Sequence, residues 1–276
     1  MTETPNLPTS TVYGPVHSWR VGKSLGIDLL YMNSICSFRC IYCQLGKINH
    51  HTLERKIYVP TEKVLADLKA SHWQEADVIT FSGNGEPTLA ANLGEVIHAV
   101  KAFTGKPVVV LTNSTLLNDP AVRNELREAD KVFCKLDAAA DRTLKLIDRP
   151  VAGVTVRSLV AGIKALRKEY PGHLAIQTMI LPVNENESAA LAALLNEIQP
   201  DEVQLNTPSR PVPREWMVES RGNHEATFAN AAKLRVPSQE KLMEIERQLS
   251  RLTGLNITAK GRWKSWQLSS GVGRPK

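Results

Sequence analysis

No apolar stretch of this 276-residue chain approaches the roughly 18 residues that a bilayer-spanning helix requires, so the sequence offers no helical membrane span. The first residues, Met1-Thr2-Glu3-Thr4-Pro5-Asn6-Leu7-Pro8, lack a basic stretch followed by an apolar one. That pattern argues against a secretory signal and for a cytoplasmic protein. Cysteine is scarce: four residues cannot build a disulfide scaffold in a chain of this length. In a reducing compartment, thiols that cluster serve metals or catalysis instead. Internal repeats and low-complexity segments are also missing, which excludes solenoid and array architectures.

What is present is ordinary for a globular chain, with 42% hydrophobic and 22% charged residues and enough length for one large domain with small appendages. The formal charge of +6 suits a polyanion such as RNA or a cofactor with negative groups, and equally a solvated surface. From about residue 60 onward, short β-type runs alternate with longer amphipathic segments. Strands are expected at Ser24 to Leu30, Val78 to Phe81, Pro107 to Leu111, Lys131 to Leu136, Leu174 to Ile180 and Glu202 to Leu205. Helices are expected near 61–71, 89–103, 119–128, 154–169, 187–198 and 238–252, with Thr61, Asp119 and Asn186 as opening caps. Strands that are apolar throughout, each followed by a helix, indicate parallel β/α units covered on both faces. Six units are too few for a closed eight-fold barrel but enough for an open partial barrel or a doubly wound sheet. In either, the strand ends where helices begin carry the chemistry. The expected division is an N-terminal extension at 1–20, the β/α body at 21–207, and a C-terminal extension at 208–276 with one helix and a basic tail.

Three of the four cysteines fall within eight residues, Cys36-Ser37-Phe38-Arg39-Cys40-Ile41-Tyr42-Cys43, in the loop after the first of these strands. A structural zinc or closed iron–sulfur site takes four protein ligands, and the second C-x2-C or His pair that a zinc knuckle wants is absent. A trio of thiolates can hold a cluster and leave one iron open to a substrate or cofactor. A second signal, Phe81-Ser82-Gly83-Asn84-Gly85-Glu86-Pro87, leaves the next strand. Its glycines permit positive φ and close approach of backbone to a ligand, and Pro87 sets the exit. Taken alone it reads equally as a tight strand-to-helix turn, and it lacks the spacing of a dinucleotide or P-loop fingerprint.

Together, a C-x3-C-x2-C run with an aromatic before its last cysteine and a strand-terminal Gly-Asn-Gly-Glu-Pro resemble the radical S-adenosylmethionine (radical SAM) superfamily over roughly residues 20 to 207. Tyr13-Gly14-Pro15-Val16, Ser24-Leu25-Gly26-Ile27-Asp28, Cys40 to Gly46 and Val203-Gln204-Leu205-Asn206-Thr207 look like the small Fe–S oxidoreductases grouped with wyosine-base (tRNA-modifying) synthases. The resemblance implies a partial (β/α)6 TIM-like barrel with short terminal extensions. It implies a 4Fe-4S cluster on Cys36, Cys40 and Cys43, with SAM chelating the fourth iron. Reductive cleavage of SAM then gives a 5′-deoxyadenosyl radical that abstracts hydrogen from a substrate, with tRNA, a peptide or a small metabolite as the open classes. An electron donor such as flavodoxin or ferredoxin is implied as a partner.

By the same likeness, Gly83, Asn84, Gly85 and Glu86 line the methionyl end of SAM and Tyr42 meets adenine. Asn113, Asp137, Gln177 and Asn206, at later strand ends, face its carboxylate, ribose or adenine; each is otherwise a turn or cap residue. No catalytic residue is assigned beyond the cluster. Cys134 reads as a packed core thiol, and His50 and His51 as surface loop. Lys135 sits in register to point inward with Asp137. Arg20 and Lys23 read as solvated charges or as contacts for a substrate anion. Trp263 and Trp266 suit a packed helical face or base stacking. No second cysteine cluster accompanies the first, so the auxiliary site that wyosine synthases carry is unsupported. Ser18-Trp19-Arg20-Val21-Gly22 and Asn113-Ser114 stand where near relatives have Ser-Arg-Arg-Leu-Gly and Asn-Gly. Two other readings are an activase that installs a radical on a partner protein or otherwise modifies a peptide, and a metal-stabilised RNA-binding protein without catalysis.

Overall fold

Runs such as Val78-Ile79-Thr80-Phe81 and Val108-Val109-Val110-Leu111 carry branched or aromatic side chains on both faces, and strands of that kind persist only where both faces are covered. The computed structural model describes residues 10–31, 33–216, 231–232 and 234–259. One sheet of eight strands runs through it, in the spatial order β1 (Val12–Ser18), β2 (Gly22–Ile27), β3 (Val78–Phe81), β4 (Val108–Thr112), β5 (Lys131–Lys135), β6 (His173–Met179), β7 (Glu202–Asn206) and β8 (Ile257–Ala259). From β2 to β8 every neighbouring pair is parallel, while β1 folds back on β2 as an antiparallel hairpin. Helices make the connections. These are α1 (Thr61–Lys69), α2 (Leu93–Thr104), α3 (Pro120–Leu126), α4 (Asp141–Ile147), α5 (Val156–Glu169), α6 (Ser188–Ile198) and α7 (Gln239–Thr253). The six β/α units expected from the sequence are therefore present in an α/β fold whose sheet stays open, since β1 and β8 are its two edges.

Alternation along the strands divides the core. Ile79, Phe81, Val110, Val132, Ile176 and Val203 join one large cluster with the helices. Val78, Val109, Phe133 and Ala175 point the other way and gather with Val21 and Leu111 inside the curve of the sheet. Beyond that inner cluster, the concave face turns polar, and there the site begins.

Several local expectations change. Strand pairing extends past the expected body at both ends: β1 lies in the segment read as an N-terminal extension and β8 in the C-terminal one. The second expected helix is preceded by a separate 3-10 turn at Pro87–Leu89, capped by the Glu86 carboxylate, and the α-helix starts only at Leu93. Asp119 does cap α3, accepting from Ala121 N at 2.8 Å with Pro120 behind it. Thr61 instead lies inside α1, with Pro60 at the cap position. At α6 the cap position belongs to Glu187, not Asn186; its carboxylate is drawn away to Ala139 N (2.9 Å) and the Thr143 hydroxyl. The short α4 has too few apolar positions to announce itself. Trp263 and Trp266 lie outside the described residues. Among the described residues no helix is long and apolar enough to cross a membrane.

The edge strand β1 is tied down by one carboxylate. Asp67 on α1 accepts from Thr11 N and Thr11 Oγ1, both at 2.8 Å, and pairs with Lys63 at 2.6 Å. Burial raises its pKa, but the Lys63 and Thr11 hydrogen bonds outweigh that and hold it below the usual carboxylate range. Because the folded value is depressed, the stabilisation is complete above the ordinary pKa of about 3.9 and is lost as pH falls through the folded value. Asp67→Asn should cost about 1–3 kcal/mol at pH 7. In urea denaturation at a series of pH values, the gap between wild type and variant should close below about pH 4.

Candidate functional site

After β2 the chain cannot continue straight, because Asp28 turns it. Its Oδ1 accepts from Leu30 N (2.9 Å) and Tyr31 N (3.1 Å). The loop that follows returns through Ile35–Cys36, which pairs in parallel with His50–His51. It is fastened on both sides. Arg39 N donates to Asp148 O and Ile41 N to Ile147 O, both at 2.8 Å, which pins the cysteine segment to the end of α4. On the other side, Ile35 N donates to Asn84 O (2.9 Å) and Glu86 N donates to Ile35 O (3.0 Å). The cysteine loop and the Gly-Asn-Gly-Glu turn are thus joined backbone to backbone. This joint explains both glycines. A Cβ on Gly85 (φ +152°) would stand 1.7 Å from Ile35 O, and one on Gly83 (φ +126°) 2.5 Å from Asp28 Cγ.

Cys36, Cys40 and Cys43 face one cavity of about 1000 Å³ on the concave side of the sheet. Gly83, Gly85, Glu86, Tyr42, Asn113, Asp137, Gln177 and Asn206 line the same space. Asn84 does not. It is fully buried, and its amide donates to Tyr31 O at 3.2 Å. Among the described residues no three or more His, Cys, Asp or Glu side chains are gathered closely enough to hold a single metal ion. The thiols are nonetheless near enough to influence one another's ionisation. Burial pushes the Cys36 thiol up to about 12, and raises Cys40 and Cys43 too, so loading a metal would release protons. Cys36 Sγ also receives Phe38 N at 3.4 Å and the Asn113 amide at 3.5 Å, the kind of N–H···S contact that tunes a cluster.

Glu86 is buried, and its carboxylate is fully used. Oε1 accepts from Thr88 N (3.1 Å), Thr88 Oγ1 (2.6 Å) and Thr112 Oγ1 (2.7 Å), and Oε2 from Asn113 N (2.6 Å). It therefore ties the glycine turn to the end of β4. Burial raises its pKa in spite of these donors. Asn113 continues the chain of contacts, donating to Ser37 Oγ at 2.8 Å and accepting from Thr115 N at 3.1 Å. Ser114 follows in the left-handed region (φ +73°), a conformation that favours glycine; its hydroxyl donates to Lys135 O at 3.1 Å.

Below the cysteine loop lies a charged group that the sequence reading only touched. The Lys135 ammonium contacts Asp137 Oδ2 and the Tyr42 hydroxyl, sits 2.8 Å from Asp148 Oδ1, and lies 4.6 Å from the Tyr42 ring centroid. Burial alone would lower its pKa, but the two carboxylates hold it well above the ordinary lysine value. Asp148 is raised by burial to about 6, against the pull of Lys135. The signal for Lys135 was its i−2 spacing from Asp137 in an otherwise apolar strand. Asp148, after the unread α4, gave none. The Gln177 amide nitrogen is buried in the cavity wall with no acceptor among the described residues. Cys134 packs in the main core, as expected. His50 is exposed, His51 bonds Ser37 O at 3.0 Å, and Lys23 stays outside the cavity that Arg20 lines.

Comparison with known proteins agrees with this geometry. A family model described as the Radical SAM superfamily matches residues 30–195. A UPF0026 protein of Synechocystis sp. is 48% identical over 223 residues, covering 80% of this chain and 84% of that one. A UPF0026 protein of Methanocaldococcus jannaschii is 34% identical over 206 residues, 72% of this chain and 64% of its own. Among solved structures, TYW1 with a lysine–pyruvate adduct bound superposes with a TM-score of 0.60 at 14% identity, over 85% of this chain and 76% of that one. Native anSMEcpe with bound AdoMet gives 0.60 at 16%, over 91% and 68%. Similarity at that identity establishes the fold.

Glu86→Gln tests the hub. An amide can serve the three donors at Oε1, but it turns an N–H group toward Asn113 N in place of an acceptor. The variant should lose about 1–3 kcal/mol in urea denaturation, whereas Glu54→Gln, at an exposed loop carboxylate, should leave stability unchanged.

Proposed function

The chain belongs to the radical SAM superfamily, whose cofactors are a 4Fe-4S cluster and SAM, and we propose that it is a radical SAM enzyme acting on a polyanionic substrate. One observation carries the reading: three thiols and a glycine turn, locked together through Ile35 and Gly85, face a single cavity. When bound, the cluster and SAM supply an electron transfer into the sulfonium and a 5′-deoxyadenosyl radical able to take hydrogen from carbon. The chain's own residues fit that pair. Cys36, Cys40 and Cys43 hold the cluster, and the backbone of Gly83 to Glu86 receives the methionyl end of SAM. Glu86 acts by fixing that backbone, since its own oxygens are occupied. Asn113 orients Cys36 through its N–H contact. The unpartnered Gln177 amide donates to a SAM oxygen, and Asn206 stands beside it on the wall. Tyr42, Asp137 and Lys135 present a hydroxyl, an acceptor and a donor to the nucleoside. A cavity of about 1000 Å³ lies at the upper end of small-molecule sites, which leaves space for part of a substrate beside SAM. Flavodoxin or ferredoxin serves as electron donor. Of the substrate classes open to such an enzyme, tRNA, a peptide or a small metabolite, we take tRNA as the proposed one, and the net charge of +6 is compatible with it.

Anaerobic reconstitution should yield about four irons and four sulfides per chain, with 5′-deoxyadenosine released on adding SAM and dithionite. Cys40→Ala should abolish both. One zinc and no acid-labile sulfide would overturn the reading in favour of a non-catalytic RNA-binding protein. With fractionated cell extract, the RNA fraction should stimulate 5′-deoxyadenosine release and gain a mass change. Response of RNA-free fractions alone removes tRNA, and a glycyl radical on a partner protein makes the chain an activase.

A further inference from the structure

The cysteine loop has an outer side as well as the side that faces the cavity. Three backbone bonds lay it along the end of α4: Val151 N donates to Ser37 O (2.9 Å), Arg39 N to Asp148 O and Ile41 N to Ile147 O (both 2.8 Å). Side chains alternate along it. Phe38 is buried, Arg39 is exposed, and Cys40 turns to the cavity. The chain thus passes from solvent to thiol within one residue, over a Cα spacing of about 3.8 Å.

α4 continues that outer surface. Arg142, Lys145 and Leu146, at i, i+3 and i+4, share one exposed face, and exposed Arg149 follows one turn on. Among the described residues, the side chains of Arg39, Arg142, Lys145 and Arg149 make no hydrogen bond or ion pair. Asp141, the exposed acid of α4, stands at the far end and accepts from Val156 N at 2.7 Å. Leu146, 49% exposed, gives the basic stripe an apolar centre. Arg149 adds an observation of a different kind. It follows the cap residue Asp148 in the left-handed region (φ +45°), with its N–H on Leu144 O at 3.2 Å. Glycine takes that conformation at lower cost, and Gly105 and Gly254 do so at the ends of α2 and α7. A basic side chain at a helix C-terminus also complements the helix dipole. That accounts for neither Arg39 nor Arg142, nor for the exposed leucine.

None of these five residues lines the cavity. A substrate held over them could not meet a radical formed inside, so the stripe suits a partner that needs the cysteine wall and not the reaction space. Reductive cleavage of SAM consumes one electron per event, and that electron enters from outside. A nucleic-acid backbone would use the four charges but leave Leu146 unmatched, whereas a protein surface can use both.

We propose that Arg39 and the α4 stripe of Arg142, Lys145, Leu146 and Arg149 dock a small acidic electron-carrier protein, which delivers its electron through the outer side of the cysteine loop. That the partner carries electrons rests on the radical SAM assignment. In the contact, one electron leaves the carrier's reduced flavin or iron–sulfur centre for the cluster. The carrier departs oxidised by one electron, and no atom is transferred.

Flavodoxin is the probe, with the anaerobically reconstituted full chain. Titration calorimetry with oxidised flavodoxin should show saturable binding that weakens as salt rises. Arg142→Glu combined with Lys145→Glu should weaken it by about tenfold or more, and Leu146→Ser severalfold at every salt concentration. Arg149→Gly should weaken binding while raising stability in urea, since glycine suits the left-handed position. Arg247→Glu combined with Arg251→Glu, exposed on α7, makes the same change in net charge and should leave binding as it was. Bleaching of the cluster absorbance by flavodoxin hydroquinone should slow in the α4 variants, while bleaching by dithionite, which needs no docking surface, should keep its wild-type rate. Absence of saturable binding in wild type overturns the surface, as does unchanged binding in the α4 variants or an equal loss in the α7 variant. Loss of affinity for an RNA stem-loop in the α4 variants, with flavodoxin binding intact, also overturns it and assigns the stripe to RNA. A chain that takes up no cluster strikes the radical SAM reading and the docking surface with it. A chain that loads its cluster and is reduced by dithionite but not by flavodoxin strikes the docking surface alone.

Discussion

The site depends on two backbone hydrogen bonds that Ile35 makes, one donated to Asn84 O and one accepted from Glu86 N. Without them, the cysteine loop and the glycine turn would be two surface segments leaving neighbouring strands. With them, they form one rigid wall. The joint leaves no room for a side chain at position 85, which is why the turn needs glycine there in addition to its unusual φ. Glu86 extends the same wall to β4 through Thr112 and Asn113, and Asn113 reaches back to Cys36. The cysteine loop, the turn and the end of β4 therefore form a closed circuit of polar contacts. Burial strengthens each bond in that circuit and makes any single vacancy expensive.

Much of this was legible in the residues. Apolar strands such as Val78 to Phe81, covered on both faces, specify a parallel sheet, and Asp119-Pro120 starts a helix where such a pair should. The cysteine spacing and the glycine turn mark the two halves of the wall. What was hidden is physically distinct. β1 alternates weakly and includes Gly14 and Pro15, and it becomes a strand by pairing with β2 at an edge and by the Asp67 tether from a distant helix. β8 is three residues long, below the length at which a pattern can be read. Asp148 reaches Lys135 only across α4, so no spacing rule connects it to the Lys135 and Asp137 pair.

Position 114 shows how sequence and fold can disagree locally. A serine occupies a left-handed conformation, and the hydroxyl that accompanies it bonds the carbonyl of Lys135, linking the end of β4 to the strand that carries the buried ammonium. The conformational cost and the new contact sit on the same residue. Arg55 plays a comparable bracing role behind the wall, donating to Thr88 O at 2.9 Å and Ala90 O at 3.2 Å, while pairing with Glu125 at 2.5 Å. The 3-10 turn after Glu86 is thereby held from its outer side.

In the eight-stranded sheet, spatial order and chain order coincide from β1 to β8. Each new strand can therefore be added to the growing edge as the chain leaves the ribosome, and none must be threaded between strands already paired. The cysteine loop and its partner turn come together early, once β3 has docked on β2. The distal wall, with Gln177 on β6 and Asn206 on β7, is laid down later. The nascent chain can thus complete the wall of cysteines and glycines first and enclose the cavity around it afterwards.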